Sequence, residues 1–202
     1  EMQRSLVGSE MCIRDRGCTT HSASRERDSL LIFKGIKMAF KYKVIGFDLD
    51  GTLINTLPDL TLVVNSMFLE YGLPTVTQEK VLSWVGKGAD IFFQNAVNYT
   101  GKLFDAMQLT SMRASFDKFY ATYVCEESTL YPKVKETLEA LKTKGFTLVV
   151  ITNKPTHLVE PVLSAFGIYS LFSETLGGQS LPKIKPNPEP VSYTHLTLPT
   201  IA

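Results

Sequence analysis

Two periodicities divide the chain. From Lys43 to Asp48 the run Lys-Val-Ile-Gly-Phe-Asp is short, apolar and β-rich, which predicts a strand buried on both faces and closed by Gly51 and Thr52. Beyond Pro58, apolar residues at Leu60, Val63, Val64, Met67, Phe68 and Tyr71 follow the three-and-four spacing of an amphipathic helix that stops at Gly72. Similar spacing recurs over Val81–Trp84, Ile91–Val97 and Phe116–Val124, so residues 58–127 read as wholly helical. Trp84, Phe92 and Phe93 belong to the apolar core of that segment.

Alternation then sets in. A helix is expected over Lys133–Lys144 with Gly145 as its stop, and a strand over Thr147–Ile151. A helix over Pro155–Phe166 stops at Gly167, and a strand follows near Ser173–Leu176. This βαβαβ rhythm predicts a parallel sheet. The resulting architecture is an α/β core made of residues 41–57 and 128–190, interrupted by an all-helical insertion at 58–127. Residues 1–40 read as an N-terminal tail, irregular as far as residue 37. Residues 191–202, rich in Thr, Leu and Pro without helical period, read as a second tail. Both ends resemble translated adaptor sequence, which leaves a natural segment of about residues 38–190.

Bulk properties narrow the ligand. With 202 residues, 44% of them hydrophobic, the chain can bury one core plus a small accessory unit. Lys and Arg number 21 against 20 Asp and Glu, a net charge of +1, so neither nucleic acid nor an anionic membrane is the expected partner. The longest apolar runs, Ser29–Phe33 and Thr147–Ile151, fall far short of the roughly 20 residues of a membrane span. An odd set of cysteines, Cys12, Cys18 and Cys125, implies no disulfide framework and suits a reducing cytoplasm. Cys12, Cys18 and His21 lack a fourth ligand at usable spacing, so they predict no zinc site.

The chemistry concentrates in three stretches, each after a predicted strand. Asp48-Leu49-Asp50-Gly51-Thr52 sets two carboxylates two residues apart at the carboxyl end of a strand, where ligands of open parallel sheets gather. One carboxylate can attack phosphorus while the other protonates the leaving oxygen and later activates water. The pair is also a natural seat for a hard cation such as Mg²⁺. A surface Asp-Gly turn explains Gly51 but not two acids closing an apolar strand. In Thr152-Asn153-Lys154-Pro155 a hydroxyl, a side-chain amide and the Asn153 backbone N–H meet a helix start, which suits a phosphate cradle and plain helix capping, two compatible readings. In Lys183-Ile184-Lys185-Pro186-Asn187-Pro188 the prolines stiffen a loop able to aim Lys185 inward, where it would stabilise transition-state charge.

Together these motifs resemble the haloacid dehalogenase-like hydrolase superfamily, and within it the bacterial phosphoglycolate phosphatases, over about residues 41–190. The resemblance implies a Rossmann-like parallel sheet, here truncated, with an inserted helical cap. It implies Asp48 as nucleophile, Asp50 as general acid and base, Thr152 as phosphoryl ligand and Lys185 as the lysine orienting the phosphoryl oxygens. Thr52 and Asn153 join the substrate-binding set. The loop Gly86-Lys87-Gly88 matches the family's specificity loop, so Lys87 would meet a substrate carboxylate, against the competing reading of a solvated lysine. His157 is read as structural or exposed. The implied reaction is Mg²⁺-dependent hydrolysis of a small phosphate ester, 2-phosphoglycolate first, with the Asp48 side chain and the Asp50 main-chain carbonyl on the metal. The family's fourth motif, which supplies a third metal carboxylate, has no counterpart before the tail, and weakened metal binding and turnover are expected. Capped relatives such as sugar-phosphate mutases, and a phosphate-binding chain without turnover, are the competing readings. A dehalogenase has no leaving oxygen for Asp50 to protonate.

Overall fold

A computed structural model describes residues 29–33, 36–40 and 43–197, so Cys12, Cys18 and His21 lie outside the described residues. In chain order its strands and helices are β1 (Ser29–Phe33), β2 (Ile36–Phe40), β3 (Val44–Phe47), β4 (Ile54–Asn55), α1 (Leu57–Glu70), α2 (Gln78–Leu82), α3 (Ala89–Tyr99) and α4 (Ala106–Thr122). There follow β5 (Thr129–Leu130), α5 (Val134–Thr143), β6 (Thr147–Ile151), α6 (Thr156–Ala165), β7 (Glu174–Leu176) and α7 (Glu189–Thr197).

The central sheet has three strands in the order β3-β6-β7, all parallel. β6 is its middle strand, and its side chains alternate between two apolar layers. Leu148 and Val150 join Leu138 of α5 and Val159, Val162 and Leu163 of α6, all fully buried. Val149 and Ile151 face the other way, against Leu176, with Val191 and Tyr193 of α7 packed over them. Burial on both faces is why Thr147–Ile151 reads as an unbroken apolar run. β3 departs from the expected double burial. It is an edge strand, with Gly46 exposed and its other residues half-buried, because β6 pairs it on one side only.

The four helices α1–α4 share a separate apolar cluster containing Val63, Val64, Met67, Phe68, Phe92, Ala96, Met112 and Phe116. Met112 apart, these residues carry the spacing that predicts helix, and α4 begins ten residues before the predicted Phe116. Asp105 starts α4 through a capping box with Gln108, and Thr77 caps α2, so two of these starts are set locally.

The chain enters and leaves the helical segment through β4 and β5, which pair antiparallel as Ile54↔Leu130 and Asn55↔Thr129. Two-residue strands carry too little periodicity to be foreseen. Just beyond them, buried Asp59 accepts hydrogen bonds from the backbone N–H of Glu127 at 2.7 Å, the N–H of Ser128 at 3.2 Å and the Ser128 hydroxyl. One carboxylate thereby fastens the start of α1 to the returning chain.

Both ends correct the sequence expectation. β1 and β2 form an antiparallel two-stranded sheet inside the stretch read as tail, with Ser29↔Phe40 and Phe33↔Ile36 at the ends of its register. Two apolar runs separated by Lys34-Gly35 have the spacing of a hairpin. Residues 189–197 form α7 although they lack helical period, since Pro190 is tolerated in a first turn and packing on the sheet supplies what periodicity does not. Among the described residues no helix is long and apolar enough to cross a membrane.

At the end of β7, Gly177 presses on the start of α6. A Cβ built on it would lie 2.5 Å from Thr156 Cα, so Gly177→Ala should lower stability by about 1–3 kcal/mol through overpacking. Asp59→Ala should cost about 1–3 kcal/mol, because it strips the buried partners from two backbone N–H groups. Equilibrium urea denaturation checks both, and an unchanged midpoint in either variant would contradict the packing described.

Candidate active site

Parallel pairing brings the carboxyl ends of β3, β6 and β7 to one rim, because Phe47 lies opposite Val150 and Ile151 opposite Leu176. Asp48, Leu49 and Asp50 follow β3 directly. The Leu49 carbonyl accepts from the N–H groups of Leu53 at 3.0 Å and Ile54 at 3.2 Å, and Gly51, at φ +78°, reverses the chain. Leu49 is buried completely in the core while Asp48 and Asp50, one residue to either side, both line a cleft at the rim. The two carboxylates expected to converge do so.

Lys185 meets them from the third motif. Its ammonium lies 2.8 Å from Asp48 Oδ1 and donates to the Ile151 carbonyl at 2.7 Å. Asp48 Oδ1 also accepts from the Leu49 N–H at 2.8 Å. The pair is partly open to solvent, 26% for Lys185 and 41% for Asp48, so it adds only ~0–1 kcal/mol to folding. What it fixes is position. Lys185 presents positive charge where a phosphoryl group approaching Asp48 would bring negative charge.

Thr152 is buried, lines the same cleft and accepts the Lys154 N–H on its hydroxyl oxygen at 3.1 Å. Neither Thr152 nor Asn153 caps α6, whose N-cap is Pro155 with no side-chain hydrogen bond. Of the two readings open for this loop, the capping one therefore fails.

Asn153 lines the cleft too, but its side chain is spent inside the protein. Its Nδ2 donates to the carbonyls of Gly86 and Lys185, each at 2.9 Å, and its Oδ1 accepts the Lys185 N–H at 2.9 Å. With both amide protons used, it fastens the Gly86 loop and the Lys185 loop together instead of offering a donor to substrate. This corrects only the side-chain part of the substrate-binding role expected for Asn153, which also rested on its backbone N–H.

Two further expected residues lie off the lining of the cleft. Thr52 is half-buried in the turn after Asp50, where its N–H bonds the Leu49 carbonyl at 3.2 Å, and it is not among the residues lining the cleft. Lys87 is exposed and does not line the cleft either. Its neighbours Gly86 and Gly88 do, with φ of +103° and +86°, so this loop turns backbone toward the site and the lysine toward solvent. His157 is exposed, as read.

Sequence reasoning missed Lys154 and Tyr120. The Lys154 side chain is 4% exposed, with its ammonium 3.4 Å from Asp50 Oδ1, 3.3 Å from the Tyr120 hydroxyl and 4.8 Å from the Tyr120 ring centre. Burial alone would lower its pKa, but the Asp50 carboxylate and the Tyr120 oxygen lift it above the ordinary lysine range, so the group stays charged. Burial likewise raises the Tyr120 hydroxyl, which stays neutral. The available signal was a lysine inside a motif already singled out, next to a residue expected to bind phosphate. A third unforeseen partner is Thr56, whose hydroxyl donates to Asp50 Oδ1 at 2.7 Å.

The helical segment supplies the opposite wall through Leu60, Val85, Gly86, Gly88, Ala89, Phe92 and Tyr120. One wall thus carries two acids, two lysines and a hydroxyl, and the other is largely apolar. The acid-derived oxygens at the mouth suit a hard cation, which needs one or two carboxylates when a substrate phosphate and water complete its shell. Among the described residues no group of three or more His, Cys, Asp or Glu side chains gathers.

Comparison with known proteins agrees with this geometry. Residues 45–198 match the family model described as haloacid dehalogenase-like hydrolase. The chain is 54% identical over 157 residues to a phosphoglycolate phosphatase of Pasteurella multocida (strain Pm70), covering 76% of this chain and 70% of that protein. It is also 54% identical over 160 residues to a phosphoglycolate phosphatase of Mannheimia succiniciproducens, covering 77% and 71%. The crystal structure of a predicted phosphoglycolate phosphatase from Haemophilus somnus 129pt superposes with a TM-score of 0.75 at 49% identity, over 77% of this chain and 71% of that one. The chain thus spans about 70% of the length of such relatives. With motif residues, parallel sheet and family model in agreement, the chain belongs to the haloacid dehalogenase-like hydrolase family.

Proposed function

We propose that the chain is a Mg²⁺-dependent phosphatase of small phosphate monoesters, 2-phosphoglycolate first among them, acting through a phosphoryl group carried on Asp48. One observation carries the reading: Asp48, Asp50 and Lys185 line a single cleft, with the Lys185 ammonium 2.8 Å from Asp48 Oδ1. The phosphoglycolate phosphatases of similar sequence support the choice of ester.

In the first step an Asp48 oxygen forms a bond to phosphorus while the bond from phosphorus to the ester oxygen breaks. Asp50 gives its proton to that oxygen, and the alcohol leaves. In the second step Asp50, now a carboxylate, takes a proton from water, whose oxygen bonds to phosphorus as the bond to Asp48 breaks. Phosphate is released and Asp50 is protonated again. Lys185 and the Thr152 hydroxyl hold the phosphoryl oxygens through both steps and offset their charge. The Asp48 carboxylate and the Asp50 main-chain carbonyl are the groups that would hold Mg²⁺, which supplies further neutralisation of phosphoryl charge when bound. The helical segment, about residues 58–127, acts as a cap whose apolar wall excludes water and favours small esters. Asn153, joining Gly86 to the Lys185 loop, seats that cap on the core. The exposed Lys87 receives no role.

A panel of small phosphate esters with Mg²⁺, with free phosphate measured, tests this directly. The chain should release phosphate from 2-phosphoglycolate, and chelation of the metal should abolish release. Asp48→Asn should lower kcat/KM on the order of 10⁴-fold or more, as loss of a nucleophile does in enzymes of this kind of covalent catalysis. Retained activity in Asp48→Asn would remove the nucleophile assignment. Conversion of a sugar phosphate to its isomer without phosphate release would favour a mutase.

A further inference from the structure

We propose that Lys154 is a positioning residue: it fixes the Asp50 side chain and ties that carboxylate to Tyr120 of α4. The catalytic consequence rests on the phosphatase reading; the contact itself does not.

An ammonium this deeply buried must be compensated, since an isolated buried charge is prohibitively costly. Its partners come from two parts of the molecule. Asp50 belongs to the loop after β3, and Tyr120 to a helix of the apolar cluster, held edge-on to Phe116 with ring centres 5.5 Å apart. The backbone of Lys154 is pinned on both sides, its N–H by the Thr152 hydroxyl oxygen at 3.1 Å and its carbonyl by the Gly178 N–H at 2.8 Å. The side chain therefore starts from a fixed point. It reaches Asp50 Oδ1, the same oxygen that accepts the Thr56 hydroxyl, and these two donors leave Oδ2 as the oxygen for proton transfer. A carboxylate held by one oxygen in this way keeps the other aimed, and aim is what an acid serving one ester oxygen requires. Because the other partner of the Lys154 ammonium is Tyr120, the aim of Asp50 depends on how α4 is seated over the cleft.

A residue that merely joined core to helices would affect all substrates alike. A residue that aims Asp50 matters most where the leaving oxygen needs a proton. The test compares kcat/KM for 2-phosphoglycolate, whose alkoxide leaving group is strongly basic, with p-nitrophenyl phosphate, whose phenolate leaves without a proton. Lys154→Met should lose about 10² fold on the alkyl ester, the scale of general acid catalysis, and only about threefold or less on the aryl ester. Lys154→Arg should recover part of the loss. Tyr120→Phe, which removes only a hydroxyl, should show the same selectivity on a smaller scale. Equal losses on both esters, or no loss on either, would overturn the proposal. If the parent chain hydrolyses neither ester, the phosphatase reading fails for this chain, and the contact is decided by unfolding. A double-mutant cycle of Lys154→Met and Asp50→Asn should then be non-additive by about threefold or more in the unfolding constant, and additivity would overturn the proposal.

Discussion

Parallel pairing of β3, β6 and β7 is the constraint on which the site depends. A parallel sheet puts the same end of every strand at one rim, so motifs separated by more than a hundred residues in sequence meet in space. β6 holds this arrangement because it is buried on both faces, between α5 and α6 on one side and α7 on the other. The edge strand β3 contributes little burial of its own. Its place is set by pairing with β6, and the fully buried Leu49 then anchors the loop that carries both acids.

Charge at the rim is handled in two ways. The Lys185–Asp48 pair is half-open, adds little stability and stays accessible to an incoming anion. The Lys154–Asp50 pair is shut away under the helical segment, where removing one partner would strand the other charge. The two acids of one short motif therefore sit in different surroundings, one facing the cleft through an open ion pair and the other steadied from behind by Lys154 and Thr56. Such a division fits two carboxylates with different tasks. The helical segment takes part in both arrangements, through Gly86 on Asn153 and through Tyr120 on Lys154.

Much of this was legible in the sequence because the elements are strongly periodic. β6 spans the predicted residues, and α1, α5 and α6 begin and end within two residues of expectation. Glycine stops at Gly72, Gly145 and Gly167, each with positive φ, explain why those helix ends could be read. What escaped lacked such a signal. β4 and β5 are two residues each, α7 depends on the sheet beneath it, and the β1–β2 hairpin lies in a stretch judged by its polar surroundings. Asp48, Asp50, Thr152 and Lys185, which line one cleft, could be singled out from residue type and position, with their roles supplied by the family resemblance. The use made of Asn153, Lys87 and Thr52 could not, because sequence shows which donors exist but not which are already taken. Lys154 was missed for the complementary reason, since its importance comes from Tyr120, 34 residues away in sequence and on a different element.

Transfer of the phosphoryl group to Asp48 is the step on which the proposed function rests. It is tested most directly by mixing the protein with 2-phosphoglycolate and Mg²⁺, quenching in acid within milliseconds and mapping the peptides by mass spectrometry. A phosphoryl adduct, labile to hydroxylamine, is expected on the peptide containing Asp48 and absent from Asp48→Asn. An adduct on any other residue, or phosphate release in rapid quench with no adduct formed, would contradict it.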